Sequence, residues 1–316
     1  MIEYTEKIKE TARKLLEEGK VDVFIGYRKG TVPMINSPVL VSDPDEVGLL
    51  HWDSSCGLNL CNYLTGRADR IGIIANGCNS RNIVTHIVEN QIRRDQLHIV
   101  GIPCTGMIDH RAVQRAVKRR EILEIEEQGG NFTVKGRDFE ETFEKKDFLQ
   151  TNCAVCTNHN PVEYDEMIGN PVEEQQGVVA FKDVDRIEEM GSDEKWGFFT
   201  QMISRCIRCY ACRNACPLCY CPTCFVDESQ PQWVGKSIDP VDTMTFHFLR
   251  AYHCAGRCTD CGACERACPV GIPVRQFTKK LNKDTLELFS WEAGLSLDQR
   301  PPLDVYRQDD YNDFIK

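Results

Sequence analysis

Cys206-Ile-Arg-Cys209-Tyr-Ala-Cys212-Arg-Asn-Ala-Cys216-Pro217 has the spacing C-x2-C-x2-C-x3-C-P, and Cys258-Thr-Asp-Cys261-Gly-Ala-Cys264-Glu-Arg-Ala-Cys268-Pro269 repeats it. Three cysteines in so tight a loop can grip three irons of one cubane. The fourth, a short helical step later and followed by proline, points to the neighbouring cluster. The spacing therefore predicts two [4Fe–4S] clusters with crossed ligands: Cys206, Cys209, Cys212 and Cys268 on one, Cys258, Cys261, Cys264 and Cys216 on the other. Zinc is the rival, but a zinc site needs only four ligands and usually joins two well-separated pairs.

Between the two motifs lies an insertion of about forty residues, as the motif positions give. Asp239-Pro240-Val241-Asp242 reads as a helix start, with an aspartate cap and proline at the first position. Met244, Phe246, Phe248, Leu249 and Tyr252 then supply an apolar face up to Gly256, suited to packing beside clusters and limiting water around them. His247 and His253 on this helix read as packed or solvated rather than as ligands. Immediately after the first motif come Cys219, Cys221 and Cys224, in C-P-x-C-x-C-P-x-C. Two readings stand side by side: a third metal site in the module with Cys254 as fourth ligand, or a displacement of Cys216 by one of these thiols, leaving the others free and buried.

Upstream, the pattern changes to an α/β rhythm. Residues 1–20 read as an amphipathic helix, Val21 to Tyr27 as a strand, and Asp43-Pro44-Asp45-Glu46 as a helix start. Ile71 to Ala75 and Leu97 to Pro103 are buried-strand runs, followed by helices over about Ser80–Ile92 and Asp109–Arg120. Strand, helix, strand, helix at this spacing implies parallel strands with a crossover helix. A hairpin over Ile122 to Lys135 follows. Cys78 and Cys104 fall in the loops after the two strands, at the carboxyl edge where α/β sheets place their sites. Each lies close before a helix N-terminus, which favours a thiolate. Cys153-x2-Cys156 adds a ligand pair. These four could close one cubane, with Cys56 as an alternative ligand; spacing alone does not decide between cubane and zinc. Cys61 reads as a helix-face residue turned to the core.

Composition limits the function classes. The chain has 316 residues, 18 of them cysteine, with 41% apolar residues and a net charge of −10. So many thiols in a chain without an apolar signal core or a twin-arginine signal suit a reducing, cytoplasmic setting, where ligation is favoured over disulfides. The acidic balance argues against nucleic acid as partner, and the longest apolar runs are too short to span a bilayer. Lys118-Arg119-Arg120 reads as cations at a helix C-terminus. No acid–base pair or nucleophile forms among His86, His98, His110 and His159, so no catalytic residue is assigned.

Cys56-Gly-Leu-Asn-Leu-Cys-Asn-Tyr-Leu64, Asn76-Gly-Cys-Asn-Ser-Arg81 with Glu89-Asn90-Gln91, Gly101-Ile-Pro-Cys-Thr-Gly106, and Cys153-Ala-Val-Cys156 with Asn160-Pro161 and Asp165 resemble the iron–sulfur relatives of deazaflavin-reducing hydrogenase and formate dehydrogenase beta subunits. With the two-cluster ferredoxin module placed after them, the chain is similar to proteins that accompany heterodisulfide-reductase-type complexes. The resemblance implies a cluster on Cys78, Cys104, Cys153 and Cys156, making three [4Fe–4S] clusters. It also implies partners among subunits of formate dehydrogenase, hydrogenase or heterodisulfide-reductase-like complexes of anaerobic metabolism. Family members that act as enzymes hold FAD and reduce a deazaflavin. About fifty residues separate Cys156 from the module, which looks short for the family's flavin-binding domain, so no flavin is expected. Asn79, Ser80 and Arg81 could contact a phosphate at a helix start, although a solvated or packing role is expected of Arg81.

The expected architecture is an α/β N-terminal domain with a short parallel sheet and one cluster (1–165), a connector (166–195), an α+β dicluster ferredoxin-like module with a helical insertion (196–275), and a helix and tail for partner contact (276–316). The expected function is relay of single electrons within a multi-subunit redox complex. The alternative is an FAD-containing oxidoreductase subunit acting on a deazaflavin or nicotinamide coenzyme.

Overall fold

A computed structural model describes residues 2–175 and 180–302. The tail expected to contact a partner therefore lies, over 303–316, outside the described residues. The chain opens with helix α1 (Ile2–Glu17), followed by strands β1 (Val23–Arg28) and β2 (Ser37–Val41). The proline-started segment becomes a 3-10 helix, Pro44–Leu49, with the Asp43 carboxylate 2.9 Å from the amide of Asp45. Strand β3 (Ile71–Ala75), helix α2 (Gly77–Val88), strand β4 (Leu97–Gly101) and helix α3 (His110–Ala116) follow, the rhythm expected from the apolar runs.

The sheet has five strands in the order β2-β1-β3-β4-β8, where β8 is Glu166–Met167. Strands β1, β3, β4 and β8 are parallel, but β2 returns antiparallel to β1, so the sheet is mixed rather than purely parallel. The tight return over residues 29–36 leaves no room for the crossover that a parallel neighbour requires. Phe24, Ile25, Tyr27, Ile71, Ile73, Ile74 and Ile99 form a fully buried core with Ile8 and Ala12 of α1. Each buried aliphatic or aromatic side chain contributes about 1.5–3 kcal/mol.

The hairpin is the start of a three-stranded meander, β5 (Ile122–Gln128), β6 (Asn131–Gly136) and β7 (Glu140–Glu144). Its third strand, Glu-Glu-Thr-Phe-Glu, is too polar to read as a strand in isolation; Phe143 holds it by meeting Phe132 and Phe148. Helix α4 (Thr151–Ala154) then leads to β8.

The remaining elements are helices: α5 (Lys182–Glu188), α6 (Ser192–Ile203), α7 (Ala211–Asn214), α8 (Pro240–His253), α9 (Ala263–Ala267) and α10 (Arg275–Phe289). Among the described residues from 192 to 302 there is no strand, so the module is helix and loop rather than α+β. Its backbone is instead turned by the cysteine loops. The segment read as a connector supplies β8 to the sheet and α5 against α10, where Lys283 pairs with Asp185 at 2.8 Å. No helix among the described residues is long and apolar enough to cross a membrane.

Candidate iron–sulfur site

The two motifs build the same loop twice. In the first, the residues flanking the second cysteine, Arg208 and Tyr210, have φ of 49° and 58°; in the second, Asp260 and Gly262 have 57° and 71°. Only one of these four positions is glycine, so three L residues take a conformation that costs about 1–2 kcal/mol each. That geometry turns the amide two residues on toward the first sulfur: Arg208 N lies 3.4 Å from Cys206 Sγ, and Asp260 N lies 3.4 Å from Cys258 Sγ. Such donors favour a thiolate or a cluster sulfur over a neutral thiol. The strained loop at Arg208 is locked by its side chain, which donates to Gly235 O at 2.6 Å and to the Tyr210 hydroxyl at 2.8 Å.

Short helices α7 and α9 then lie against each other and deliver the fourth cysteines. Burial pushes the Cys212 thiol up to about 11, with Arg250 opposing and the charges of Cys264, Cys206 and Cys268 adding to it. Cys206 is raised by burial, then by Cys268 and Cys209 against the Arg208 amide. The charge of Cys268 thus acts on both Cys206 and Cys212 of the first loop. Cys216 lines a small cavity with Cys258, Cys261, Cys264 and Cys254. Burial, with Asp260, Cys261 and Cys264 nearby, pushes Cys258 up to about 12.

Of the additional thiols, Cys219 and Cys254 exchange hydrogen bonds with Cys216, while Cys221 is exposed and Cys224 bonds to Arg213. The structure therefore gathers Cys216, Cys219 and Cys254, and sets Cys221 and Cys224 apart from them. Among the described residues no group of three or more His, Cys, Asp or Glu side chains is spaced to hold a single metal ion. His247 is buried, and its Nε2 lies 3.2 Å from Cys206 Sγ; His253 packs edge-on to Phe225.

The N-terminal cysteines meet at the carboxyl edge of the sheet. Ala75 of β3 is paired with Gly101 of β4, so Cys78 and Cys104, each three residues further on, leave the sheet side by side. Gly77 allows the close approach of the following loop: a Cβ there would lie 1.9 Å from Asn158 O. That contact sets the Cys153–Cys156 segment against the start of α2. Burial raises the Cys78 thiol first, and the charges of Cys261, Cys104, Cys156 and Cys153 add to it. Cys153 and Cys156 are pushed up to about 12 and about 11, again chiefly by burial. Gly106 N donates to Cys104 Sγ at 3.4 Å, the same two-residue step as in the module, and Met107 N donates to Cys153 Sγ at 3.4 Å.

The four cysteines line a cavity of about 260 Å³. Cys56 also lines it, but its sulfur accepts from Asn36 Nδ2 at 3.3 Å and from Asp53 N at 3.4 Å. Cys61 turns to the core and donates to Asn79 O at 3.3 Å. The phosphate-facing reading of the α2 start finds its side chains engaged: Asn79 donates to the Tyr27 hydroxyl, Ser80 donates to Gly77 O, and Arg81 donates to Ala293 O at 2.6 Å and pairs with Glu292. Arg81 is buried and packed rather than solvated.

The same cavity reaches Cys258 and Cys261, so the N-terminal site abuts the second loop of the module. Arg266 stands at this junction and donates to Gln150 Oε1 at 2.6 Å and to Cys261 O at 2.9 Å. His86 Nε2 lies 2.8 Å from Pro217 O, and Asn62 donates to Ala215 O at 3.1 Å.

Cubanes fit these residues on physical grounds beyond the thiols themselves. Arg250 is 4% exposed, has no carboxylate partner among the described residues, and its Nε has no hydrogen-bond partner. A buried unpaired cation is costly, and a cluster held by four thiolates is the anion that relieves it. Sequence reasoning missed Arg250 and Arg266, because an arginine within a helix or a cysteine motif carries no signal of its own.

Comparison with known proteins agrees. Residues 202–272 match the family described as the 4Fe-4S dicluster domain, so this part of the chain is a two-cluster domain. Over 353 aligned positions the chain is 24% identical to the F420-dependent formate dehydrogenase subunit beta of Methanocaldococcus jannaschii, covering 92% of this chain and 91% of that one. It is also 24% identical to the F420-dependent formate dehydrogenase 1 subunit beta of Methanococcus maripaludis, covering 91% and 90%. A chain from the F420-reducing [NiFe] hydrogenase complex of Methanosarcina barkeri superposes over 48% of this chain and 59% of that one, with a TM-score of 0.38 and 18% identity. The resemblance to formate dehydrogenase beta subunits is thus borne out by relatives that span nearly the whole chain.

Proposed function

We propose that this chain is an iron–sulfur electron-transfer subunit that relays single electrons through three [4Fe–4S] clusters within a multi-subunit redox complex of the formate dehydrogenase or hydrogenase type. Its relatives are named as subunits of such enzymes. Cys206, Cys209, Cys212 and Cys268 would hold the first cluster, Cys258, Cys261, Cys264 and Cys216 the second, and Cys78, Cys104, Cys153 and Cys156 the third. The observation that supports the reading is the shared cavity, lined by Cys78 and by Cys261 of the module, whose charge acts on the Cys78 thiol. Three sites then follow in order: the sheet edge, the second loop, the first loop. Cysteine Cys209 is exposed at the far end of that order, a surface edge for exchange with a partner.

When bound, the clusters supply one-electron redox chemistry with no bond made or broken in a substrate. The chain's own residues hold the thiolates in place, direct amide donors at the sulfurs, and exclude water through Met202, Val226, Phe246 and Ile272. The chain purified without oxygen and reduced stepwise should develop three separable one-electron paramagnetic signals. Fewer than three would remove the N-terminal member.

The second reading, an FAD-containing subunit, draws on the names of the relatives and on the chain's span of about nine-tenths of their length. Acid release of FAD in stoichiometric amount would favour it.

A further inference from the structure

The insertion between the cysteine motifs does more than shield them. Helix α8 runs from Pro240 to His253 and carries Arg250 into the space between the two loops. Its Nη2 donates to Cys212 O at 3.1 Å, in the first loop. On its other side it lines the small cavity with Cys216, Cys258, Cys261 and Cys264. The ionisable groups that act on it most strongly are Cys264, Cys216 and Cys212, drawn from both sites, together with the additional thiol Cys254. No carboxylate stands among the groups that act on it, and its Nε is left without a partner.

We propose that Arg250 is a shared counter-cation for the two module clusters, which raises both of their reduction potentials together. The inference rests on the cluster reading above. Each cluster takes up one electron from the donor without a proton, so reduction adds one negative charge next to this guanidinium. A fixed buried cation favours the reduced form, and low local dielectric makes the effect larger than at the surface. Because one side chain faces both sites, its effect falls on two clusters and not on the one at the sheet edge.

The test is an electron-paramagnetic redox titration of the whole chain with Arg250→Gln and Arg250→Lys, alongside iron counts. In the glutamine variant the reduced-to-oxidised ratio of both module clusters at a given potential should fall at least tenfold, which is about 59 mV for one electron. The third signal should stay in place. The lysine variant, which keeps the charge, should restore most of the shift. Movement of one module cluster alone, or of neither, overturns the proposal. If the glutamine variant fails to retain iron, rescue by lysine supports a compensating charge, and equal loss in both variants overturns it. The cluster reading fails separately, if the unmodified chain gives no module signals at all.

Discussion

The guanidinium of Arg257, just ahead of the second cysteine loop, reaches the Glu89 carboxylate at the end of α2, with Nη2 2.7 Å from Oε2. The Tyr220 hydroxyl, which follows the first loop, donates to the same carboxylate and accepts from Arg257 at 2.6 Å. Three segments distant in sequence thus share one half-buried knot, with the Glu89 side chain 8% exposed. Burial and the Glu89 contact both push the Tyr220 hydroxyl well above its ordinary value, so it stays a donor.

Glu89→Gln keeps the shape and removes the charge. Hydrogen bonds to a charged group are each worth about 1.5–3 kcal/mol. Hydrogen exchange should therefore speed up by one to two orders of magnitude, roughly, at the amides around residues 217–221 and 253–257, with iron content unchanged. Unaltered exchange there would mean that the two parts are held together elsewhere.

Gly77→Ala puts a methyl group against Asn158 O. Backbone cannot yield as a flexible side chain does, so the Cys153–Cys156 loop must move. The variant should lose about four irons, the content of one cubane, and keep both module signals. Full iron retention would contradict the placement of the third cluster at Cys78, Cys104, Cys153 and Cys156.

His247 is pushed down to about 4 by burial first, then by Arg250 and Arg208, so its ring is neutral at ordinary pH. With its proton on Nε2, 3.2 Å from Cys206 Sγ, the neutral ring would donate one hydrogen bond to a sulfur of the proposed first cluster. Such bonds raise reduction potentials. His247→Phe should lower the potential of the cluster held by Cys206 by tens of millivolts, roughly, and leave the other two signals fixed. Equal movement of two signals would place this histidine with Arg250 as a shared influence.

Cys216→Ser should cost the second cluster, whereas Cys219→Ser should leave the iron count unchanged. The reverse pattern would show that Cys219 is the ligand and Cys216 its hydrogen-bonded neighbour. Iron analysis of the two variants decides it.

Much of this was legible in the sequence because the determinants are local. The cysteine spacing contains its own loop geometry, and Ile71 to Ala75 and Leu97 to Gly101 are buried on every side or nearly so. Their apolar continuity announces parallel strands. The antiparallel β2 was hidden, since its direction depends on a return whose residues carry no strand pattern. Strand β8 has two residues, too few for any periodicity. Arg250, Arg257 and Arg266 were invisible for a different reason. Each acts through what it meets across the fold, and an isolated arginine says nothing about its partner.

Cofactor content of the chain isolated without oxygen is the most direct measurement. The account predicts about twelve iron and about twelve acid-labile sulfide per chain, with no stoichiometric zinc. Zinc in place of iron at the repeated motifs, or iron without matching sulfide, would contradict it.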